Sequence, residues 1–541
     1  MLWLARDRFG EKPLYWGWIE QTGGAAAGHV NRALAFGSEL AALRALPGAA
    51  VPTPDPRALA AFFRLGCIPA PLCIQAGLQQ LPPGHLVAIP ASASGQAPQQ
   101  LPQSRPWWDA SAAAAGIALQ QGSAPAVGCE PGSPLVPGAV SEAEALTALE
   151  DALQQAVAEQ AIADVPLGAF LSGGIDSSLI TALLQAASSR PVRSFTIAFP
   201  DSGAGAAGFN EAPYAAAVAA HLGTDHTEVA LTAADARALI PSLARIYSEP
   251  FADSSQLPTH LVCREARRNG LTVALSGDGG DELFGGYNRH RLIPTLHRRL
   301  GPLPPLARRG LGRALEQLPV SASGLARDKQ RKLAAAIRAA GSLEELQASL
   351  TSVWADPAAL LQPHLQSADV TAAGGGVVLA GAQPLPPAPS PAERLMLADA
   401  LTYLPADILV KVDRAAMAVG LETRAPFLDH RVAAAAWRLP LAMKVRGGTG
   451  KWALHQLLDR HVPRHLIERP KAGFAMPIGA WLRGPLRQWA DDLLDPALLH
   501  RQGYLQPQPI QRLWRKHLAG ADHTPQLWAV LMWQAWLAEW G

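Results

Sequence analysis

The amino-acid sequence predicts an α/β fold with a doubly wound parallel sheet in the larger, C-terminal part of the chain. After Ser141, short apolar runs alternate with helical patterns, as expected for consecutive βα units. Glycine-rich segments follow two of the predicted strands, where doubly wound folds bind their ligands. The predicted elements are strand 165–171, helix 176–187, strand 192–199, helix 211–222, strand 226–231, helical segments ending at 246 and 268, and strand 271–275.

Length and composition favour a multidomain enzyme. The chain has 541 residues, which is long enough for more than one domain. Its net charge of +2 gives no reason to expect a polyanionic partner. No apolar run is long enough to span a bilayer, and the apolar stretch at the start is too short for a signal peptide. Four cysteines without CxxC spacing suggest neither a disulfide framework nor a zinc site, so we expect a cytoplasmic protein.

The first candidate motif is Ser172-Gly-Gly-Ile-Asp-Ser-Ser178, between a predicted strand and a predicted helix. Small residues at a helix start present free backbone N–H groups and the positive end of the helix dipole to an anion such as pyrophosphate. Asp176 would repel phosphate unless a divalent cation, typically Mg²⁺, lies between them. The motif is not the Walker pattern, since no lysine follows the glycines. The alternative interpretation is a serine-rich turn that caps a helix.

The second motif is residues 276–287, which follow the strand predicted at 271–275 and combine glycines with acids. Two such strand-end loops are expected to face each other across one crevice. Asp176 and Asp281 would then hold Mg²⁺ between them. The alternatives are a glycine-rich turn with solvated acids or a calcium loop, although the EF-hand spacing is missing.

The first motif resembles the signature of the PP-loop ATP pyrophosphatases, which split ATP into AMP and pyrophosphate while adenylating a substrate. The two motifs together resemble the synthetase domain of glutamine-dependent asparagine synthetases. Further strings of that family's pattern occur in order at 194–199, 249–255, 413–417, 420–429 and 469–474. The resemblance covers residues 142 to about 490.

This resemblance implies roles for individual residues. The implied ATP-binding residues are Leu171, Ser172, Gly173, Gly174, Asp176, Ser177, Ser178, Ile197, Ser276 and Gly277. Asp278 falls where the family has an acidic or tyrosine residue important for β-aspartyl-adenylate chemistry. Lys471 matches a lysine that steadies negative charge during adenylation and amide formation. The implied cofactors are ATP and Mg²⁺.

The amino-terminal part resembles the last portion of the family's glutaminase, an N-terminal-nucleophile β-sandwich. The matching strings are residues 4–15, 35–39 and 81–85. We therefore expect a residual glutaminase at 1–105, a linker at 106–141 and a synthetase domain at 142–541. The chain begins Met1-Leu2 and has no cysteine near its start, so we expect it not to hydrolyse glutamine by the family's mechanism. A truncated product or a misplaced start codon is the first explanation considered, and an ammonia-dependent synthetase is the second.

The activity implied is synthesis of asparagine from aspartate, ATP and ammonia, which would come from glutamine in a complete protein. The alternatives are another amide-forming relative (β-lactam synthetase-like or of polysaccharide biosynthesis), a PP-loop tRNA-modifying enzyme, or an inactive remnant. We expect small-molecule partners, no nucleic acid and no membrane, with a homodimer as one option. Residues 253–255 would bind aspartate or cap a helix, and Glu422 with Arg424 would be catalytic or a structural ion pair.

Overall fold

The computed structural model describes residues 1–21, 31–47, 53–90, 101–114, 141–198, 211–318, 324–374, 388–468 and 476–541. Residues 91–100, 115–140 and 375–387 lie outside these ranges, as does Lys471. The strands are β1 (Leu2–Ala5), β2 (Tyr15–Gln21), β3 (Asn31–Gly37), β4 (Leu78–Gln80), β5 (His85–Ile89), β6 (Arg105–Pro106), β7 (Leu167–Phe170), β8 (Arg193–Ala198), β9 (Asp225–Ala230), β10 (Val273–Leu275) and β11 (Glu422–Arg424).

The helices lie mainly in the C-terminal part. They are α1 (Leu40–Arg44), α2 (Pro56–Leu65), α3 (Ala110–Ala114), α4 (Glu142–Gln160), α5 (Ile175–Ala186), α6 (Ala212–Leu222), α7 (Ala233–Leu239), α8 (Leu243–Tyr247), α9 (Gln256–Arg268), α10 (Gly280–Phe284), α11 (Arg289–Leu300), α12 (Pro305–Gln317), α13 (Gly324–Ala339), α14 (Leu343–Thr351), α15 (Ala368–Gly374), α16 (Pro391–Leu401), α17 (Leu409–Met417), α18 (His430–Arg438), α19 (Leu441–Lys444), α20 (Trp452–Leu458), α21 (Ile478–Arg483), α22 (Arg487–Leu493), α23 (Pro496–Gln502), α24 (Pro507–Leu518) and α25 (Thr524–Trp540). A π-helical turn, Leu404–Ile408, leads directly into α17.

The predicted doubly wound parallel sheet is confirmed. Among the described residues it has five strands in the order β11-β10-β7-β8-β9, and each neighbouring pair is parallel. Helices α4, α5 and α6 bury apolar residues in the core on one face, and α9 and α17 in the core on the other. The strands predicted from apolar runs occur within a few residues of their expected bounds, because buried parallel strands carry such runs. The edge strand β11 was missed, since its sequence Glu-Thr-Arg is polar.

The amino-terminal part contains two three-stranded antiparallel sheets within its described residues, ordered β1-β5-β6 and β3-β2-β4. Their shared core is a small apolar cluster that includes Leu4, Trp16 and Val87. Trp3 on β1 is 54% exposed and Phe36 on β3 is 49% exposed. Both side chains lie on edge strands of these sheets, so apolar surface is exposed there.

The two parts are joined through buried contacts. The Tyr15 hydroxyl donates a hydrogen bond to Glu249 at 2.6 Å, and the backbone N–H of Ile74 donates to the same carboxylate at 2.8 Å. The ring of Trp108 packs against Phe9 and Trp437. The segment around Glu249 is thereby fixed by the amino-terminal sheets, just before it enters the larger domain's cleft. No helix within the described ranges is both long and apolar enough to cross a membrane.

Candidate active site

A cleft of about 1300 Å³ opens at the carboxyl ends of the parallel strands. Both glycine-rich loops contribute to its wall, so they face each other as the sequence predicted. The predicted site residues in this wall are Leu171, Ser172, Gly174, Asp176, Ser177, Ile197, Ser276, Gly277, Asp278 and Asp281. The sequence motifs therefore converge on one cavity.

The first loop forms the entry to α5. Gly174 is the N-cap residue, and Asp176 lies in the first helical turn. The Ser177 hydroxyl accepts a hydrogen bond from the backbone N–H of Ser172 at 3.1 Å and contacts its hydroxyl at 2.9 Å. This closed loop holds the N-terminal N–H groups of α5 at the cleft, which is the geometry that favours phosphate.

Two residues of the first motif lie outside the cleft wall. Ser178 is fully buried on α5, because it follows the helical surface that packs into the core. Gly173 has φ +71°, and a Cβ there would lie 2.8 Å from the backbone nitrogen of Ala215. Its small size therefore allows α6 to approach the loop. Lys471 cannot be placed, since it lies outside the described residues.

Lys451 lies between the two aspartates that were predicted to hold a metal. Its Nζ pairs with Asp281 Oδ1 at 2.7 Å and also with Asp176 Oδ2. The lysine side chain is 7% exposed. Burial alone would lower the pKa of Lys451, but the two carboxylates outweigh burial and raise it. A buried ammonium group paired with two carboxylates therefore lies at the amino end of α5.

The position of Lys451 is specified by its backbone and by its neighbours. It is a non-glycine residue at φ +58°, in the left-handed region, directly before α20. Such strained conformations persist where the surrounding structure determines them, and they cluster at functional sites. A Cβ at Gly286 would lie 2.1 Å from Lys451 Cε and 1.9 Å from Asp281 Oδ1. Only glycine at position 286 leaves room for this ion pair.

A second buried lysine also lines the cleft. Lys411 Nζ on α17 pairs with Asp253 Oδ2 at 2.7 Å. Asp253 also accepts hydrogen bonds from the backbone N–H and hydroxyl of Ser255 just before α9. Although burial opposes the shift, Lys411 lowers the pKa of Asp253 to about 2. Asp253 thus organises the turn before α9 and carries a charge into the cleft, although the N-cap residue Ser255 makes no side-chain capping hydrogen bond.

Asp278 and Glu282 of the second loop also line the cleft. Burial raises the pKa of Asp278, while a hydrogen bond from Ser276 acts in the opposite direction. Burial also raises the pKa of Glu282 to about 8, with a further contribution from Asp281. Tyr287 donates a hydrogen bond to Glu282 at 2.7 Å. The cleft thus combines buried cations with carboxyl groups that differ in how easily they ionise.

Of the two roles considered for Glu422 and Arg424, the contacts favour a structural ion pair. Arg424 pairs with Glu422 at 2.7 Å outside the cleft wall and also donates to the backbone oxygens of Gln160 and Ile162. Cys67 and Cys73 are buried, and burial raises the pKa of both thiols well above the ordinary value.

Sequence reasoning missed Lys451 and Lys411. Lys451 is 275 residues from Asp176, and Lys411 is 158 residues from Asp253, so no local pattern connects either pair. One available signal was the glycine-rich run Gly447-Gly-Thr-Gly450, which ends directly at Lys451. Within the described ranges, no three His, Cys, Asp or Glu side chains form a candidate metal-ligand cluster.

The parallel sheet, with two glycine-rich loops meeting at a helix start, defines an α/β domain of the nucleotide-binding class. The family model described as asparagine synthase matches residues 148–538, and that of the glutamine amidotransferase domain matches residues 1–100. The chain belongs to the asparagine synthase family.

Curated relatives carry names consistent with this family. A putative asparagine synthetase (glutamine-hydrolyzing) of Mycobacterium tuberculosis strain H37Rv is 36% identical over 390 residues, which are 71% of this chain and 56% of the relative. Asparagine synthetase (glutamine-hydrolyzing) 1 of Bacillus subtilis is 29% identical over 394 residues, 72% of this chain and 58% of the relative. Asparagine synthetase B (glutamine-hydrolyzing) of Escherichia coli K12 is 34% identical over 156 residues, 26% of each chain. The chain spans a little over half the length of the first two relatives.

Proposed function

We propose that this protein synthesises asparagine from aspartate, ATP and ammonia through a β-aspartyl-AMP intermediate. The observation that carries the proposal is the ion-pair cluster of Lys451, Asp176 and Asp281 at the start of α5. This cluster places a buried cation beside the N-terminal N–H groups of α5, which form a phosphate-binding geometry. Residues 148–538 of the chain match the asparagine synthase family.

In the first step, an oxygen of the aspartate β-carboxylate attacks the α-phosphorus of ATP. The bond between the α-phosphorus and the oxygen bridging to the β-phosphorus breaks, and pyrophosphate leaves. The backbone N–H groups in the first turn of α5 and the α5 dipole hold the phosphates. Lys451 stabilises the charge that develops on the transferring group, since a preorganised cation in a water-poor site acts strongly there. We assign a similar charge-stabilising role to Lys471, and Leu171 and Ile197 contact the nucleotide.

Mg²⁺ fits the donor set of this site. Asp176 and Asp281 supply hard carboxylate oxygens, which Mg²⁺ combines with phosphate oxygens and waters. Lys451 fills the space between the two carboxylates, so the same pair already accommodates one positive charge. When bound at Asp176 and Asp281, Mg²⁺ would neutralise phosphate charge.

In the second step, the nitrogen of ammonia attacks the acyl carbon of the adenylate. The tetrahedral adduct loses a proton from nitrogen and expels AMP, which leaves the side-chain amide of asparagine. Asp278 lies in the cleft wall, and its raised pKa suits a group that accepts a proton during this step. We further propose a division into a glutaminase-like part at 1–105, a linker at 106–141 and the synthetase domain at 142–541.

The test is aspartate-dependent exchange of labelled pyrophosphate into ATP by the purified full chain. Exchange requires only the first step, so no nitrogen donor is added. The proposal predicts exchange with aspartate and Mg²⁺, and none when either is omitted. Glutamate and other carboxylates are tested in place of aspartate. Exchange that depends on one of these and not on aspartate would identify that carboxylate as the substrate. A folded protein that shows no exchange with any carboxylate would refute the proposed activity.

A further inference from the structure

The segment between α8 and α9 carries Asp253 into the cleft, and the amino-terminal part holds this segment at two points. At the first point, Glu249 accepts a hydrogen bond from the Tyr15 hydroxyl at 2.6 Å. At the second, the backbone N–H of Ala252 donates to the backbone oxygen of Gly66 at 2.8 Å. Asp253 directly follows this second contact, so its position depends on the amino-terminal part.

Helix α17, which carries the partner Lys411, is held from the same side. Lys12, in the loop between β1 and β2, pairs with Asp413 at 2.6 Å. The Asp413 side chain is 5% exposed, whereas that of Lys12 is half-exposed. Arg414 is buried and donates a hydrogen bond to the backbone oxygen of Ser38. Both contacts lie within one helical turn of Lys411, so they fix the other half of the ion pair.

Burial makes these contacts hard to replace. It raises the pKa of Glu249, while hydrogen bonds from Ile74 and Tyr15 favour the ionised form. A buried carboxyl group that loses a donor is left unsatisfied, and the backbone around it is expected to shift toward another partner. A change on the amino-terminal side should therefore displace the ion pair in the cleft wall.

This ion pair suits an amino-acid substrate. An amino acid carries an ammonium group and a carboxylate, and Asp253 and Lys411 present the opposite charges side by side in the cleft wall. We propose that Tyr15 and Lys12 are positioning residues for this pair, so that the amino-terminal part contributes to adenylation itself, independently of the nitrogen donor. A reacting group must be held precisely, because a displacement of about 1 Å can cost about 100-fold in rate.

The inference rests on the proposed function, and its test is aspartate-dependent pyrophosphate exchange, which needs no nitrogen donor. The KM for aspartate is measured at saturating ATP and Mg²⁺ for the full chain, for Tyr15→Phe and for Lys12→Met. We expect this KM to rise about tenfold in each variant, with the KM for ATP close to its parental value. A variant that is only less stable would contain less active protein, which lowers the maximal rate and leaves the KM for aspartate unchanged.

Two substitutions at Glu249 test whether its hydrogen bonds are the cause. Glu249→Ala removes the acceptor of both Tyr15 and Ile74. Glu249→Gln keeps an acceptor oxygen for Ile74 and a polar group beside the Tyr15 hydroxyl. The alanine variant should raise the KM for aspartate at least as much as Tyr15→Phe does, and the glutamine variant should recover most of the parental value. An equal rise in both would contradict a role through these hydrogen bonds.

Arg64→Met serves as the control. Arg64 donates a hydrogen bond to the backbone oxygen of Ala355 at 2.6 Å, which also joins the two parts but lies outside the cleft wall. Its loss should leave the KM for aspartate unchanged. Because Lys12 is half-exposed, Lys12→Met decides the result if Tyr15→Phe does not fold. An unchanged KM for aspartate in the folded variants, or an equal rise in Arg64→Met, would overturn the inference. A parent chain without exchange would instead refute the proposed function.

Discussion

Replacement of Lys451 by methionine tests the charge at the centre of the site. The substitution keeps most of the side-chain volume and removes the ammonium group that lies 2.7 Å from Asp281 Oδ1 and contacts Asp176. At an effective dielectric constant of about 20, one such pair has a gross attraction of about 6 kcal/mol. The cost of burying an ammonium group that is only 7% exposed offsets much of this attraction.

The net effects of Lys451→Met follow from these terms. Because two carboxylates lose their shared cation, the free energy of unfolding should fall by about 3–5 kcal/mol. Removal of a preorganised charge from a reacting centre typically lowers the rate by about 10²–10³-fold, so aspartate-dependent exchange should fall by that factor. Exchange is measured with labelled pyrophosphate, and stability by urea unfolding at pH 7.5.

Lys444→Met is the matched control. Lys444 is 4% exposed at its side chain and pairs with Glu393 at 3.3 Å, outside the cleft wall. Its loss also breaks a buried ion pair, so it should lower stability but leave exchange near that of the parent chain. Exchange at the parental rate in a folded Lys451→Met protein would refute the role assigned to Lys451.

Two further substitutions test the packing and the charge of the site. Gly286→Ala should reduce exchange by about tenfold or more, because a Cβ would lie 1.9 Å from Asp281 Oδ1 and must displace that carboxylate. The control is Gly310→Ala on α12, where no atom lies within 4 Å of the new Cβ. This control should leave exchange unchanged and the free energy of unfolding equal or higher. Exchange that is equal in both variants would contradict this packing argument. Asp253 has a folded pKa of about 2 and an unfolded value near 3.8, so its contribution to stability is present above pH 4 and is lost as the pH falls through 2. As the pH falls from 4 to 2, the free energy of unfolding of the parent chain, measured with urea, should fall by about 2 kcal/mol more than that of Asp253→Asn. An equal fall in the two proteins would contradict the lowered pKa of Asp253.

Much of the fold could be predicted from local sequence. The predicted strands at 192–199 and 226–231 and the helix at 211–222 correspond closely to β8, β9 and α6. Apolar runs and helical periodicity depend on neighbours within one element, so they are visible in a single sequence. Strand β11 could not be predicted in this way, because its three residues are polar and its place in the sheet comes from pairing with β10.

The site was predicted in part. Strand-end loops meet at one edge of a parallel sheet, and for this reason Asp176, Asp278 and Asp281 were expected together. Ser178 was included with its loop, although its place on α5 buries it. Lys451, directly before α20, and Lys411, on α17, reach the cleft through long-range packing, which no local motif encodes. The roles of the individual residues and the bound Mg²⁺ remain predictions.

The central claim is that a carboxylate substrate is adenylated at the cleft between the two glycine-rich loops. The most direct measurement is the transfer of ¹⁸O from the labelled β-carboxylate of aspartate to AMP during turnover by the full chain with ammonium. Attack of the carboxylate on the α-phosphorus predicts one labelled oxygen in each AMP released. Turnover that yields asparagine with unlabelled AMP, or with ADP and phosphate, would contradict the claim.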